Sequence, residues 1–222
     1  STLGGKTAGT VTVTNAVAIT GDHDQLTAAL VTAGTKVEVS DATVTVNDGD
    51  ATAITAAELS AIGGSTEGQV TVTNAVAITG TTAEVTAALV TAGTLVVVSD
   101  AAVTITNTPT IAELNAIAAK TTGVVTATLA ANSLSNLGAL TTEATDAITV
   151  TVNDGDGTAL TAADLSTLGG KTAGTVTVTN AVAITGTTAE VTAALVTAGT
   201  LVVVSDAAVT ITNTPTIAEL NA

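Results

Sequence analysis

The amino-acid sequence predicts an α/β solenoid, a single segment spanning residues 1–222 in which parallel strands stack coil on coil with one short helix per coil. Three observations carry this expectation. The chain repeats itself, its apolar residues are confined to aliphatics, and one local pattern of strand, corner, strand and capped helix recurs along its length. Residues 70–116 return letter for letter at 176–222, and residues 1–21 return at 166–186. The run VTVTNAVAITG therefore starts at Val11, Val70 and Val176. These spacings are close to two and four units of about 27 residues, the size of one supersecondary unit in a repeat array. About eight such coils fit the chain, and at about 4.8 Å per coil they span roughly 40 Å. The winding is expected to be right-handed, as parallel β-crossover-β connections are. Because the chain opens at Ser1 and stops at Ala222 inside repeats, it reads as a fragment of a longer array.

The elements follow in order from one coil, residues 69–93. Val70 and Val72 alternate with Thr71 and Thr73, the period of a strand with one buried face. Asn74 interrupts, Val76 and Ile78 resume the alternation, and Gly80 ends it. Thr81 followed three residues later by Glu84 reads as a capping box that starts a helix. Val85 and Leu89 share one helical face with Ala88 and Ala92, which keeps that face thin. Gly93 reads as the residue after the helix, where a left-handed conformation is common. The same start signal recurs at Asp22–Gln25, Thr55–Glu58, Thr110–Glu113, Thr161–Asp164, Thr187–Glu190 and Thr216–Glu219. Helices of about ten residues do not persist alone in water, so they depend on the stack. Residues 124–147 are the least regular stretch, and a distorted coil is expected there.

Composition narrows the function classes. With no Phe, Tyr, Trp, Met or Cys, the interior is built from Val, Ile, Leu and Ala. That choice suits a thin, regular stack better than an irregular globular core. Nineteen Asp and Glu against four Lys, with no Arg, leave a formal charge of −15. Such a chain repels nucleic acid, which is bound through Lys and Arg clusters. No uninterrupted apolar run approaches the length of a transmembrane helix; 95–106 is the most apolar stretch, and Ser99 and Asp100 break it. No signal peptide is visible, which a fragment would have lost.

A second pattern marks the strand corners. Asn15, Asp41, Asn74, Asp100, Asp146, Asn180 and Asp206 each follow Thr or Ser and precede Ala. Stacked one coil apart they would form an Asn/Asp ladder that satisfies backbone N–H groups where the strand bends. A ligand-binding ladder is the alternative.

The segment TAADLSTLGGKTAGTVTVTNAVAITGTTAEVTAAL (161–195) resembles repeats of giant bacterial cell-surface and extracellular proteins, notably of cyanobacteria. The shared features are the T-A-A-[DE]-L-x-x-[IL] helix, the K-T-x-G turn and the I-T-G-T-x-A-E-V link, which cover most of the chain. The resemblance implies a secreted or surface-displayed, very long, repetitive protein with an adhesive, matrix or envelope role, and no catalytic residues.

Two features invite chemistry. Val-Asn-Asp-Gly-Asp occurs at 46–50 and 152–156, and Asp48, Asp50, Asp154 and Asp156 could offer oxygens to calcium. The spacing lacks the pattern of calcium-binding nonapeptide repeats and the terminal Glu of an EF-hand loop, and Asn-Asp-Gly is itself a turn signal. Asp22-His23-Asp24 replaces the Thr-Thr-Ala of its copies; a His between carboxylates suits a metal or a base, and equally a helix N-terminus. A polysaccharide lyase on a β-helix would want Arg and aromatic platforms that this chain lacks. Outward Thr pairs such as Thr12/Thr14 and Thr71/Thr73 suggest an ice-binding sheet, but Lys36, Glu38, Val97 and Val203 break the array. The expected function is therefore a non-enzymatic structural repeat module, secreted or at the cell surface, that acts as spacer, matrix, envelope element or adhesive stalk. Its expected partners are copies of itself or neighbouring repeats, end to end, and no cofactor is required. The alternative is a calcium-dependent module that binds glycans or proteins.

Overall fold

Short runs in which Val or Ile alternates with Thr form strands. In the computed structural model, which describes residues 3–34, 36–200 and 202–221, these strands pair in parallel. The chain divides into two compact units, one of Ser1–Asn107 with Ala116–Val125, the other of Thr108–Asn115 with Thr126–Ala222.

In the first unit β1 (Val11–Val13) pairs with β3 (Val37–Val39). A second sheet runs β2 (Ala18–Gly21), β4 (Thr43–Val46), β6 (Val70–Val72) and β8 (Val96–Val97). A third runs β5 (Ala53–Thr55), β7 (Ala77–Gly80) and β9 (Ala102–Ile105). Three helices alternate with these strands: α1 (His23–Leu26), α2 (Ala56–Gly63) and α3 (Thr82–Leu89). A fourth, α4 (Ile111–Ala118), has residues in both units. In the second unit Thr126–Thr128 of β10 (Val125–Thr128) pair with β11 (Ala147–Val152), followed by β13 (Val176–Val178) and β15 (Val202–Val204). Beside them run β12 (Ala159–Thr161), β14 (Ala183–Gly186) and β16 (Ala208–Ile211). The helices of this unit are α5 (Leu134–Leu137), α6 (Ala162–Gly169), α7 (Thr188–Leu195) and α8 (Ile217–Leu220). The architecture is α/β, with parallel sheets, short helices between strands and no closed barrel.

Partners in these sheets come from consecutive repeats. Val11 faces Val37, Val44 faces Val70 and Val150 faces Val176, in each case 26 residues on. Elsewhere the step is 24 residues (Ala53 to Ala77) or 25 (Ala18 to Thr43, Ile19 to Val44), slightly shorter than the spacing of the sequence repeats suggests. It drops to 21 residues between Thr126 and Ala147, inside the stretch expected to be irregular.

The column of strands shifts at two places. Strand β4 pairs with β2 on one edge and with β6 on the other, so β6 stacks on β4 and not on β3. Strand β11 does the same with its two halves: residues 147–149 pair with β10 and residues 150–152 with β13. Both strands lead directly into an Asn-Asp-Gly-Asp turn and then an additional strand, β5 or β12.

The core is the inward row of each strand and the inner face of each helix. Val44, Val70, Ile78, Leu59, Ile62, Val85 and Leu89 are all buried. Each such side chain contributes about 1.5–3 kcal/mol relative to exposure. The helices start where the capping pattern places them. Thr55, Thr81, Thr187 and Thr216 each form a full capping box with the Glu three residues on. Asp22, Thr161 and Ser133 cap through their side chains alone. The longest of these helices have eight residues; α5 and α8 have only four, and the four residues of α1 run on without a break into a π-helical segment, Thr27–Val31.

A Thr-x-Gly staple fastens one repeat to the one before it. In Thr66-Glu67-Gly68, Thr66 Oγ1 donates to Ala42 O (2.7 Å) and Glu67 N to Ser40 O (2.8 Å), while Gly68 N donates to Thr66 Oγ1 (3.0 Å). Thr121-Thr122-Gly123 grips Ala101 O and Ser99 O in the same way, at 2.6 and 2.8 Å. Thr172-Ala173-Gly174 does so with Ile148 O and Asp146 O. The glycine is required by contact. A Cβ at Gly68, Gly123 or Gly174 would lie 2.2–2.4 Å from a backbone carbonyl oxygen of the earlier strand.

Candidate functional site

The Asn-Asp-Gly-Asp turns hold the most concentrated set of ligand-type oxygens in the sequence, and the fold places each turn against a helix N-terminus. Asp48, buried after β4, reaches back to α1. Its Oδ2 accepts from His23 N (2.8 Å) and its Oδ1 from the His23 ring at Nδ1 (2.7 Å). A carboxylate only accepts, so Nδ1 carries the proton of that bond. Two residues later Asp50 Oδ1 accepts from Ala75 N (3.1 Å) in the following repeat. Asn74 Nδ2 donates to Asp48 O. The second turn has the same wiring: Asp154 Oδ2 accepts from Leu134 N (2.7 Å), Asp156 Oδ1 from Ala181 N (3.0 Å), and Asp154 O from Asn180 Nδ2 (2.7 Å).

Two further residues do the work of Asp48 elsewhere. Asn107 Oδ1 accepts from both N and Oγ1 of Thr82, at 2.7 and 2.9 Å. Asn213 Oδ1 accepts from Thr188 N and Oγ1, at 2.8 and 3.0 Å. Each of these helix starts is thus closed twice, by its own capping residue and by an Asn or Asp from the next repeat. The helix dipole favours the carboxylate version. Where the reaching residue is the neutral Asn, the helix offers a Thr hydroxyl; at α1, where it is Asp48, the helix offers the imidazole of His23. The sequence marks Asp22-His23-Asp24 as a departure from its copies but does not reveal its partner 25 residues away, because the partner lies in a different repeat. The recurrence of Asn107 and Asn213 at the end of an identical strand was the signal that could have found it.

The corner residues fall into several short lines. The strand register aligns Asn15 with Asp41, Asp48 with Asn74, and Asp154 with Asn180, because the column shifts between Asp41 and Asn74 and again between Asp146 and Asn180. The four Asp residues of the turns therefore belong with the corner residues. Ser40 Oγ donates to Asp41 (3.1 Å) and Ser99 Oγ to Asp100 (2.9 Å). Asp146, buried, accepts from Glu143 N at 2.9 Å. Asp206 and Asn15 are exposed on the last and first repeats.

Backbone geometry distinguishes the two turns at one position. Ala51 and Gly157 occupy equivalent places, and both have positive φ, 59° and 73°. Glycine adopts that conformation without steric cost and alanine does not, so the first turn carries strain that the second avoids.

Among the described residues no group of three or more His, Cys, Asp or Glu side chains converges as a metal site would require. In the second unit a depression beside α5 and α6 is lined by Asp154, Asp164 and Lys171. All three are engaged structurally: Asp154 as above, Asp164 with Thr161 Oγ1 (2.6 Å), and Lys171 Nζ with Gly138 O (2.7 Å) and Leu140 O (2.6 Å) after α5. Among the described residues no helix is long and apolar enough to cross a membrane.

His23 is the group whose charge changes near neutral pH. Partial burial pushes its pKa down, but the Asp48 hydrogen bond and the charges of Asp48, Asp24 and Glu58 outweigh this, leaving it above 6.5. Folding therefore gains most from this pair below pH 6.5, and the gain is lost as pH rises through the elevated pKa. The capping glutamates Glu58, Glu84, Glu113, Glu190 and Glu219 are shifted the other way by hydrogen bonds from their capping threonines. Their contribution is present above pH 4.5 and lost as pH falls. Thermal stability is expected to peak between these limits and to decline as pH rises through the elevated pKa of His23. His23→Thr, which copies Thr82, should remove that upper decline and keep the acid-side loss, since the capping threonines remain the main cause of the glutamate shifts. A melting series that declines equally in both proteins would refute the assignment.

Comparison with protein-family profiles, curated proteins and solved structures gave no match to this chain. The fold and the turns together define a class, an α/β repeat protein with parallel sheets whose polar side chains join successive repeats.

Proposed function

We propose that this chain is a structural repeat module of an extracellular or cell-surface protein, built as a right-handed α/β solenoid that serves as spacer, matrix or adhesive stalk and performs no catalysis. One observation carries the reading. The residues with the most chemical potential, His23 and the Asp pairs of the two turns, are spent on backbone groups and side chains of adjoining repeats. A binding or catalytic turn would keep such oxygens directed at a ligand. The parallel pairing of strands 24–26 residues apart is what a coil-on-coil winding requires. A charge of −15 keeps such a repetitive, strand-rich protein soluble.

Protease shaving of intact source cells tests the location and the role together. Peptides of this chain should be released before lysis, within a polypeptide much longer than 222 residues. Recovery only after lysis, or from a short polypeptide, would overturn the reading.

A further inference from the structure

We propose that β12 receives an extended segment of another protein, one that carries Lys or Arg, as an added strand in the groove beside α5 and α6. The inference gives the second unit a binding partner and does not rest on the repeat-module reading.

The groove has a structural cause. Strand β12 pairs with β14 on one side, and among the described residues no strand lies on its other side. That open edge faces α5, a helix of only four residues in the repeat where the strand spacing drops to 21. One helical turn does not cover a strand edge, and a groove of about 510 Å³ remains between α5, β12 and α6. Leu134, Leu160 and Leu168, all buried, form its floor. Strand β5 holds the matching place in the first unit, but there α1 runs on into Thr27–Val31. An open strand edge is a template for pairing with a further strand.

Three polar groups of residues lining this groove lack the partner that their counterparts have. At Thr55, Thr81, Thr110, Thr187 and Thr216, the Glu three residues on accepts from both the backbone N–H and the hydroxyl of the threonine. At Thr161 that place is held by Asp164, shorter by a methylene, which accepts only from the hydroxyl, at 2.6 Å. The N–H of Thr161 is left over. It points away from β14, as its equivalent Thr55 N points away from β7 in the same register. The second group is on Asp154. Its Oδ2 accepts from Leu134 N, as that of Asp48 does from His23 N. Asp48 Oδ1 then accepts from the His23 ring, whereas Leu134 has no polar side chain and leaves Asp154 Oδ1 without a partner. The third is the Oδ1 of Asp164.

These groups specify the ligand. Carboxylate oxygens only accept, so Asp154 and Asp164 call for N–H donors, and charged donors bind them most strongly. The Thr161 N–H calls for an acceptor, which the carbonyl of an extended backbone supplies. Lys171 also lines the groove, but its ammonium is held by Gly138 O and Leu140 O. A chain of charge −15 attracts a basic partner. An extended backbone with a cationic side chain meets all of these demands together.

The test is a titration of the full chain with a peptide of alternating Val and Lys, acetylated and amidated at its ends, followed at the backbone amides by heteronuclear NMR. Ala159, Thr161 and Leu134 should shift saturably, Thr55 should not, and NaCl should weaken the binding. Asp164→Glu recreates the capping box of the other helices and pairs the Thr161 N–H. It should weaken binding about fivefold to tenfold, with a melting temperature equal to or above that of wild type. Asp154→Asn, which copies Asn107 and keeps an acceptor for Leu134 N, should weaken binding at least about tenfold and flatten its salt dependence. No saturable shift at Thr161, equal binding of a peptide of alternating Val and Glu, or an Asp164→Glu variant that binds like wild type overturns the proposal. Shifts confined to Asp154 and Asp164 would make the groove a cation site and overturn the added strand. Shifts at Thr161 that appear when the protein alone is concentrated would give the edge to a second copy and overturn the choice of partner.

Discussion

Gly123→Ala is expected to destabilise the first unit by about 3 kcal/mol, at the upper end of what overpacking ordinarily costs. The Cβ it introduces would lie 2.4 Å from both Ala101 O and Asp100 O. Neither obstacle is a flexible side-chain end; both are main-chain atoms of the Ser99–Ala101 corner, which the staple holds through Thr121 Oγ1 to Ala101 O and Thr122 N to Ser99 O. Relief requires the two repeats to separate locally, which breaks the bonds that align β9 with the chain following it. Gly93→Ala is the control. Nothing lies within 4 Å of a Cβ at that position and its φ is not positive. There the substitution should be neutral or should stabilise by up to about 1 kcal/mol, through the reduced freedom of the unfolded chain. Urea unfolding of the two variants checks this, and equal midpoints would show that the staple is not a close contact.

Leu114→Ala should cost about 2–5 kcal/mol, the range for truncating a buried leucine, whereas Leu220→Ala should cost under about 0.5 kcal/mol. The two leucines stand in an identical stretch of sequence, in the same Thr-x-Ala-Glu-Leu helix start. Leu114 is fully buried and Leu220 is 61% exposed. Any method that scores local sequence alone must assign them the same effect. Thermal or urea unfolding of both variants below the concentration of any self-association decides the matter, and similar losses would mean that Leu220 is covered in solution.

Much of this architecture was legible from the residues. The Thr-x-x-Glu spacing located the helix starts because the capping box is a local device, closed within about four residues. Val-Thr-Val alternation located β1, β6 and β13 for the same reason. The polar wiring was much less legible. Asp48 read as a turn residue or a cation ligand, and its partners His23 N and Nδ1 lie 25 residues away. The corner Asn and Asp residues share one local pattern, yet they divide into separate lines, because β6 stacks on β4 and β13 on the second half of β11. Local sequence carries no record of which strand will lie beneath it.

By itself, the sequence determined the elements: where helices begin, which strand face is apolar, that the core is aliphatic, and that the chain is built from repeats. These follow from interactions within a few residues, or from the simple recurrence of letters. Only the tertiary structure decided the column shifts at β4 and β11, the pairing of His23 with Asp48, and the burial of Val103 against the exposure of Val209. The physical reason is common to all three. Each depends on which repeat lies above or below, and identical segments acquire different environments when their neighbours differ.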